Sequence, residues 1–578
     1  MWASYFGSYR VESSPAPFEA VTFPFAQFTL VLAAGALVRL YKITELPLGP
    51  YSDEIFTLKN SLALAHQPFD FFGHTPLFTA GWVETANLYL YFNLLILKVF
   101  GVSYWSMKLF SVIPGIVACG AVFAIARLLF SPRAAFLTAF LFAFAHWPVR
   151  LSRYGWDVSF MVMAFSLAIG LLVLAVQRGR PLYAYCAGVT GGLCLYSYLG
   201  ARICLLSLLL WFAIEFALRR EKRIFRHGIA FAIGAAMAAC PLLIYYLDHA
   251  GAFWVRTAEL SVFNGDNPLW EIVNNSWRHA LMFFTLGGTY ARDNFPGLPM
   301  MDPLTGSLLI VGLMVLLRER NNFAVRLVAC TFIINFAAGV FSISQEGAPY
   351  VYRTAAVIIP AFLIVGFSVQ WLMYRLELKL RGLRLSQYSI PATSLLLLCI
   401  IVLNLYFYFG LESKNTAAMR VMAYEARLIG LEIARDELPV ILVGTDMLDQ
   451  PKAHPKPLET FAYANPPLIL PPVMRLLAII VFSGRYDRTQ TVLNNLEHPK
   501  NIHFIDTELL ASSNPALPHP AKIIFRSQTR QLWDLIRINY PRASRRDIRS
   551  IYGEPLFVVA VLPNSPASSA ETPAARLP

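Results

Sequence analysis

The sequence predicts a polytopic α-helical membrane protein with a small extracytoplasmic α/β domain at its C-terminal end. Three observations predict it. Apolar runs of roughly 17 to 25 residues recur along the chain, the length a helix needs to cross a bilayer. Only 14% of the 578 residues are charged and 57% are hydrophobic, where a soluble protein carries about a quarter of its residues as charges. The Lys and Arg residues gather in short loops between apolar runs, as they do on the cytoplasmic side of membrane helices. An open sheet cannot span lipid, because its edge amides would go unpaired. The runs also lack the polar–apolar alternation of a transmembrane barrel.

Residues 1–23 read as a polar cytoplasmic leader. No charged, apolar and small-residue pattern of a cleaved signal peptide precedes the first run, 24–41, which is therefore expected to stay as an anchor. Further runs centre on 107–128, 134–149, 158–177, 182–199, 202–218, 228–247, 304–317, 323–343, 354–374 and 390–410. Basic clusters at Arg127/Arg133, Arg178/Arg180, Arg219–Arg226, Arg318–Arg326 and Arg375–Arg384 follow every second run. That alternation gives about eleven spans, with the N-terminus inside and the C-terminus outside. The segment LYLYFNLLILKVF, 88–100, is short for a crossing, and counting it would move every later basic cluster outside. It reads as a helix at the outer interface. The loop RLSRYGWD, 150–157, then faces the same side as Asp53 and Glu54.

The transmembrane module is expected over 24–411. Its long external stretch, 248–303, combines short helical segments with a Gly- and Pro-rich loop. Residues 412–562 change character. A helical pattern, TAAMRVMAYEARLIGLEIARDEL, is followed by the strand-like runs PVILVG, IHFID and AKIIF, a helix in QTRQLWDLIRINY and a last strand, PLFVVAVL. This alternation predicts the α/β domain. The Pro-rich segment 451–473 reads as a long loop or lid, and 563–578 as a disordered tail. The net charge of +13 reports orientation, since its carriers sit between spans, and excludes nothing better than it excludes a nucleic-acid partner. The seven Cys residues lie in or beside apolar runs without metal or redox spacing and read as small core residues.

Asp and Glu together number 35, and two of them, Asp53 and Glu54, stand side by side shortly after the first span. Ionisable groups near membrane depth are costly and tend to be functional. Those expected on the external side are Asp53, Glu54, His74, Glu84, Lys108, Arg150, Arg153, Asp157, Arg202, Arg292, Asp293 and Arg353. His74 and His279 read as structural rather than as ligands. Trp147, Trp156, Tyr196 and Tyr198 read as belt or packing residues rather than a sugar platform.

These features resemble a known family. The acidic pair after the first span in the form LP…DE, GVSYWSMK at the second span, SRYGWD, LYSYLGAR, ARDNFPGLPMMDPLTGSLLIVGL and APYVYRTAAVIIP follow one another over roughly 25–375. In order and spacing they are similar to lipid-linked-sugar glycosyltransferases of the C-type fold. More narrowly, they resemble the protein O-mannosyltransferase and aminoarabinose transferase superfamily. The resemblance implies transfer of a sugar from a polyprenyl-phosphate-linked donor to a hydroxyl acceptor (lipid, protein or glycan) on the outer face of the cytoplasmic membrane. It implies Asp53 as general base, with Glu54 orienting the site or bonding Arg153, and Asp157 as a second acid opposite. A hydroxyl nucleophile needs such a carboxylate within hydrogen-bond reach. Arg353, and with it Arg202, Arg153 or Lys108, would hold the donor phosphate, for which Arg offers a bidentate fork. Glu84 falls where aminoarabinose transferases carry a metal-binding Glu. The motif here, WVETANLYLY, lacks the Pro pair that follows in theirs, so no cofactor is fixed and a divalent metal stays open.

Two other classes compete. A transporter or flippase for a lipid-linked or anionic substrate would show broken helices or an acid buried mid-span, and no internal repeat supports it. A membrane scaffold whose soluble domain binds a partner would leave Asp53 without a chemical task.

Overall fold

A computed structural model describes residues 24–65, 78–79, 85–86, 88–344, 346–382, 389–435, 438–448, 472–484, 501–507, 510–511, 517–527, 530–550, 553 and 555–563. The leader, His74, Glu84, most of the Pro-rich 451–473 segment and the C-terminal tail lie outside the described residues.

Helix α1 (Phe25–Leu40) carries no charge until Arg39. A strap of residues 41–51 leads into α2 (Ser52–Leu64), whose first turn holds Asp53 and Glu54, where carboxylates meet the positive end of the helix dipole. A two-stranded hairpin, β1 (Phe78–Thr79) and β2 (Thr85–Ala86), precedes α3 (Leu88–Phe100). Helix α4 (Tyr104–Leu129) starts at a capping box in which Ser103 and Ser106 satisfy each other's backbone amides. There follow α5 (Pro132–Phe144), α6 (His146–Leu151), α7 (Val158–Arg178), α8 (Pro181–Cys194), α9 (Ala201–Arg219) and α10 (Lys222–Asp248). The stretch 248–303 begins with α11 (Ala250–Glu259) and α12 (Pro268–Leu281). Helices α13 (Pro303–Arg318), α14 (Phe323–Val340), α15 (Ile358–Gly382) and α16 (Ser389–Leu405) complete the bundle, the last extended by a π-helical turn over Tyr406–Leu411.

Every apolar run expected to span overlaps a helix, and one of them divides between two. Among the described residues, 7 helices are long and apolar enough to cross a membrane: α4, α7, α9, α10, α14, α15 with its preceding turn, and α16 with its extension. Helices α1, α5, α8 and α13 are shorter, at 16, 13, 14 and 16 residues. The run expected as one span over 134–149 divides, because Ala145 adopts an extended conformation and the chain restarts as α6. Helix α3 packs its Tyr89, Leu90 and Leu94 against Leu64, Leu109 and Phe110 of α2 and α4, leaving Leu95, Val99 and Phe100 exposed.

Helices α8 and α10 approach as closely as backbones allow. A Cβ at Gly188 would run into the Phe231 carbonyl, one at Gly234 into the Tyr185 carbonyl, and one at Gly192 would lie 2.6 Å from the Ala235 oxygen. Small residues at helix crossings give contact where lipid offers no hydrophobic gain.

Beyond α16 the chain forms α17 (Thr416–Val421), α18 (Tyr424–Arg435), β3 (Val440–Gly444), α19 (Pro472–Ser483), β4 (Ile502–Ile505), β5 (Ala521–Arg526), α20 (Arg530–Asn539), β6 (Ser544–Arg549) and β7 (Pro555–Leu562). The sheet order is β4-β3-β5-β7-β6, with β3 parallel to β4 and β5, and β7 antiparallel to β5 and β6. The single helix expected over 416–438 is two, because Ala423 leaves the helix to donate its N–H to the Pro50 carbonyl at 2.8 Å. This region shares one apolar core with the bundle: Met419, Met422, Ile429, Leu477 and Ile480 pack with Ile55, Leu58 and Tyr104.

Gly188→Ile is expected to force α8 and α10 apart at a cost of about 1–3 kcal/mol, read as a lowered unfolding temperature of the solubilised protein. Gly251→Ala, where an added Cβ meets nothing within 4 Å, should leave that temperature unchanged.

Candidate active site

The site is built on a buried ion pair. Glu54 and Asp53 are successive residues of α2, so their side chains leave the helix about 100° apart. Glu54 turns inward, buried, where both its oxygens accept from Lys108 Nζ at 2.6 and 2.8 Å. The Gly155 N–H donates to the same carboxylate at 3.0 Å. Three segments, α2, α4 and the 152–157 loop, are thereby fixed to one another, and Gly155 lacks room for a side chain beneath the Met107 carbonyl at 3.0 Å. Arg153, fully buried, donates to the carbonyls of Val38 and Arg39, both at 2.8 Å, to Leu46 O at 2.9 Å and to Tyr408 Oη at 3.0 Å. It satisfies the carbonyls that α1 leaves unpaired at its C-terminal end. Arg150 donates to Arg292 O at 3.3 Å and pairs with Glu412, also buried.

Asp53 faces the other way, half-buried at the start of α2. Burial raises its pKa, and Glu346, Asp293 and Glu54 add to the rise while Arg292 opposes it. Asp157, beneath Trp156 and ahead of α7, is buried, and its Oδ1 finds no hydrogen-bond partner among the described residues. Desolvation first, and the charge of Asp53 second, push its pKa up to about 7. Arg292 forks onto Asp293 at 2.6 and 3.0 Å and reaches Glu346 at 3.5 Å. Its guanidinium is held among four rings, with centroids at 4.9 Å (Tyr51), 4.8 Å (Trp156), 4.9 Å (Tyr290) and 4.4 Å (Tyr352). Arg353 donates to Ile343 O at 2.7 Å, bonds the Tyr352 side chain and stacks over Tyr350 and Tyr352, while its buried Nε is unpartnered among the described residues. Trp156, Tyr198 and Tyr352 form a triangle of rings with centroids 5.1 to 6.1 Å apart.

The structure thus brings Asp53, Asp157 and Arg353 together and adds Arg292, Asp293 and Glu346. Glu346 was not singled out from the sequence, although it lies in the same QEGAPYVYR stretch as Arg353; its signal was that proximity alone. Trp156 and Tyr198, read as packing residues, stand beside the charged groups. Four expected residues are committed elsewhere. Glu54 binds Lys108 rather than Arg153. Lys108 is fully buried under that carboxylate, and Arg153 is spent on backbone carbonyls, so neither faces the cluster. Arg202 bonds Phe253 O at 2.7 Å, Thr257 Oγ1 at 3.0 Å and Tyr246 Oη at 3.1 Å, tying α9 to α10 and α11. Among the described residues no three His, Cys, Asp or Glu side chains gather as a metal site, and Glu84 is not among those residues.

Residues 85–246 match the family model described as dolichyl-phosphate-mannose-protein mannosyltransferase. The matched segment covers 162 of the 578 residues. It runs from the approach to α3 through α10 and includes Lys108, Arg153 and Asp157. No curated protein matches the chain by sequence. Solved structures similar to it include an oligosaccharyltransferase, AglB, from Archaeoglobus fulgidus in complex with an inhibitory peptide and a dolichol-phosphate (13% identity, TM-score 0.46, covering 73% of this chain and 62% of that one). Another is ArnT from Cupriavidus metallidurans bound to undecaprenyl phosphate (14% identity, TM-score 0.47, 95% of this chain and 100% of that one). A third is the S. cerevisiae protein O-mannosyltransferase Pmt1-Pmt2 complex bound to the sugar donor (16% identity, TM-score 0.30, 40% and 34%). The chain spans about 62% of the length of the archaeal enzyme. The family match agrees with the resemblance to lipid-linked-sugar glycosyltransferases drawn from the sequence.

Removing one partner of the buried pair, by Glu54→Gln or Lys108→Met, is expected to destabilise the protein by about 3–5 kcal/mol, measured as a fall in unfolding temperature. Asp53→Asn, at the more open face, should not have this effect.

Folded Asp157 holds its proton above its ordinary value of 3.8, up to about 7. The native state therefore binds the extra proton in that window, and stability falls as pH rises from about 4 through about 7. Asp157→Asn should make this slope in unfolding temperature against pH shallower, and should remove a protonated carboxyl band from the infrared spectrum at neutral pH.

Proposed function

We propose that the chain is an integral membrane glycosyltransferase that moves a sugar from a polyprenyl-phosphate donor to a hydroxyl acceptor, with Asp53 as general base. One observation supports the reading above others: two carboxylates with raised pKa values share an aromatic-walled cluster with a ring-caged arginine and a second arginine whose Nε is unpartnered among the described residues. Perturbed acids beside fixed cations recur at reaction centres. The family description names a polyprenyl-phosphate sugar, which is the donor class such a cluster suits.

In this reading the acceptor oxygen attacks the anomeric carbon, its proton passes to Asp53, and the bond from that carbon to the phosphate oxygen breaks. The polyprenyl phosphate leaves with the bonding electrons. Arg353 binds the departing phosphate, and Arg292 opposes the rise that burial and the acidic neighbours impose on the Asp53 pKa. Asp157, near its midpoint at neutral pH, donates to or accepts from a sugar hydroxyl, and Trp156, Tyr198 and Tyr352 supply apolar faces for the ring. A single displacement of this kind inverts the anomeric centre and needs one base. The module over 24–411 performs the transfer, with the cluster and the 412–562 domain on the outer face of the cytoplasmic membrane. The alternation of basic clusters supports that orientation.

Purified protein in lipid nanodiscs, given radiolabelled polyprenyl-phosphate sugars and candidate acceptors, should transfer label. Asp53→Asn should lower the rate about 10²- to 10⁴-fold while leaving donor KM near the wild-type value. Undiminished transfer by that variant would remove Asp53 as the base.

A further inference from the structure

Helix α12 is built inside out for a helix surrounded by water. Its apolar side chains Leu269, Trp270, Val273, Trp277 and Leu281 recur at helical spacing and are exposed, Leu269 by 78% and Trp270 by 60%. Its polar residues Asn275 and His279 are fully buried. The exposed stripe does not stand alone. Ile244 and Leu247, at the end of the membrane-spanning α10, are exposed by 56% and 82%, and α11 continues the apolar surface with Trp254 at 62%. Tryptophan at the ends of membrane helices sits at headgroup level, and a helix with one apolar and one polar face lies along that boundary.

The buried edge leads to the site. Asn275 Nδ2 donates to Val340 O at 3.1 Å and Ser342 O at 2.8 Å. The Tyr350 N–H donates to His279 Nε2 at 3.0 Å, and His279 Nδ1 lies 2.8 Å from Asn275 O. Arg278 Nη1 donates to Ala348 O at 3.2 Å. The loop between α14 and α15 is thus held at both ends by α12. That loop carries Glu346, Tyr352 and Arg353. Gly339 makes the approach possible, because a Cβ there would run into His279 Nε2 and Thr354 Cγ2.

We propose that α12 is seated in the bilayer interface and that Asn275 and His279 are positioning residues, through which this seating sets the place of the loop bearing Glu346 and Arg353. The partner is the headgroup layer of the bilayer beside the end of α10. The link to the donor rests on the proposed role of Arg353. A neutral His279 with its proton on Nδ1 is what the contacts require, since Nε2 accepts from a backbone amide.

Three measurements on the full-length protein in nanodiscs test this. With brominated phosphatidylcholine, the tryptophan emission lost in Trp270→Phe/Trp277→Phe should be emission that the bromines quench; if the quenched fraction is the same in variant and wild type, the seating is wrong. Hydrogen exchange over 341–354 should quicken about tenfold, the size of one lost hydrogen bond, in His279→Ala and in Val273→Asp/Trp277→Asp, and should be slow again in His279→Gln, whose amide oxygen can accept from Tyr350. Unchanged exchange in both variants would overturn the positioning role. Finally, donor KM should rise about tenfold in His279→Ala with kcat within about twofold of wild type. Faster exchange with unchanged donor KM would refute the assignment of Arg353 to the donor and leave the positioning by α12 standing.

Discussion

The Glu54–Lys108 pair is the constraint on which the rest of the site depends. Two charges fully removed from water repay their desolvation only when the remaining donors and acceptors are met. Here the Gly155 N–H accompanies the ammonium on the carboxylate, and the Tyr104 and Tyr154 rings stand 4.7 and 5.8 Å from Lys108 Nζ. The pair joins the helix carrying Asp53 to the loop that ends in Asp157. The two acids of the cluster are therefore held near each other by a third acid whose side chain faces the core. Adjacent positions on a helix make the division of labour simple, because one side chain of the Asp-Glu pair enters the core while its neighbour keeps the open face.

A second layer of arginines performs the same service. Arg153 gathers carbonyls from the end of α1 and from the strap before α2, and Arg150 holds the backbone of Arg292. Residues of one loop, 150–157, thus include two structural cations, a packing glycine, and an aromatic and an acid of the candidate cluster. Guanidinium suits this work because its planar fork serves several carbonyls at once, which an ammonium cannot.

Sequence patterning made the membrane helices legible, since burial in lipid leaves long apolar runs and confines cations to loops. It also marked the acids, because they are scarce. It did not separate structural from site cations. Lys108, Arg153 and Arg353 look alike in the sequence, and only burial and partners distinguish them. The strand β6, SRRDIR, went unseen because an edge strand carries charges that keep other strands from adding to it, and this erases the period-2 apolar signal. Helix α19 went unseen because it follows a Pro-rich stretch that suggested a continuing loop. Helix α12 shows the opposite failure. Its apolar period was present, but the periodicity cannot tell a stripe facing a protein core from one facing lipid, and here the polar edge is the buried one.

The change in composition near 412 likewise marks a change of surroundings rather than a gap in packing. Glu412 pairs with Arg150 inside the bundle, and Asn415 donates to the same carboxylate at 3.1 Å. The Ala423 N–H donates to the Pro50 carbonyl of the strap, and a Cβ at Gly49 would lie 2.9 Å from the Ala423 backbone. Arg427 donates to Leu48 O at 3.3 Å, and Phe482 of α19 stacks on Tyr104 with centroids 4.3 Å apart. The strap that precedes Asp53 is thus gripped by Arg153 of the helical bundle and by Arg427 of α18. Because both grips act on carbonyls only a few residues before the acid, a shift in either would move Asp53 relative to Asp157 and Arg353. The sheet region is therefore a wall of the same structure that holds the acid, and its contribution to the site runs through residues 46–51 rather than through any side chain that enters the cluster.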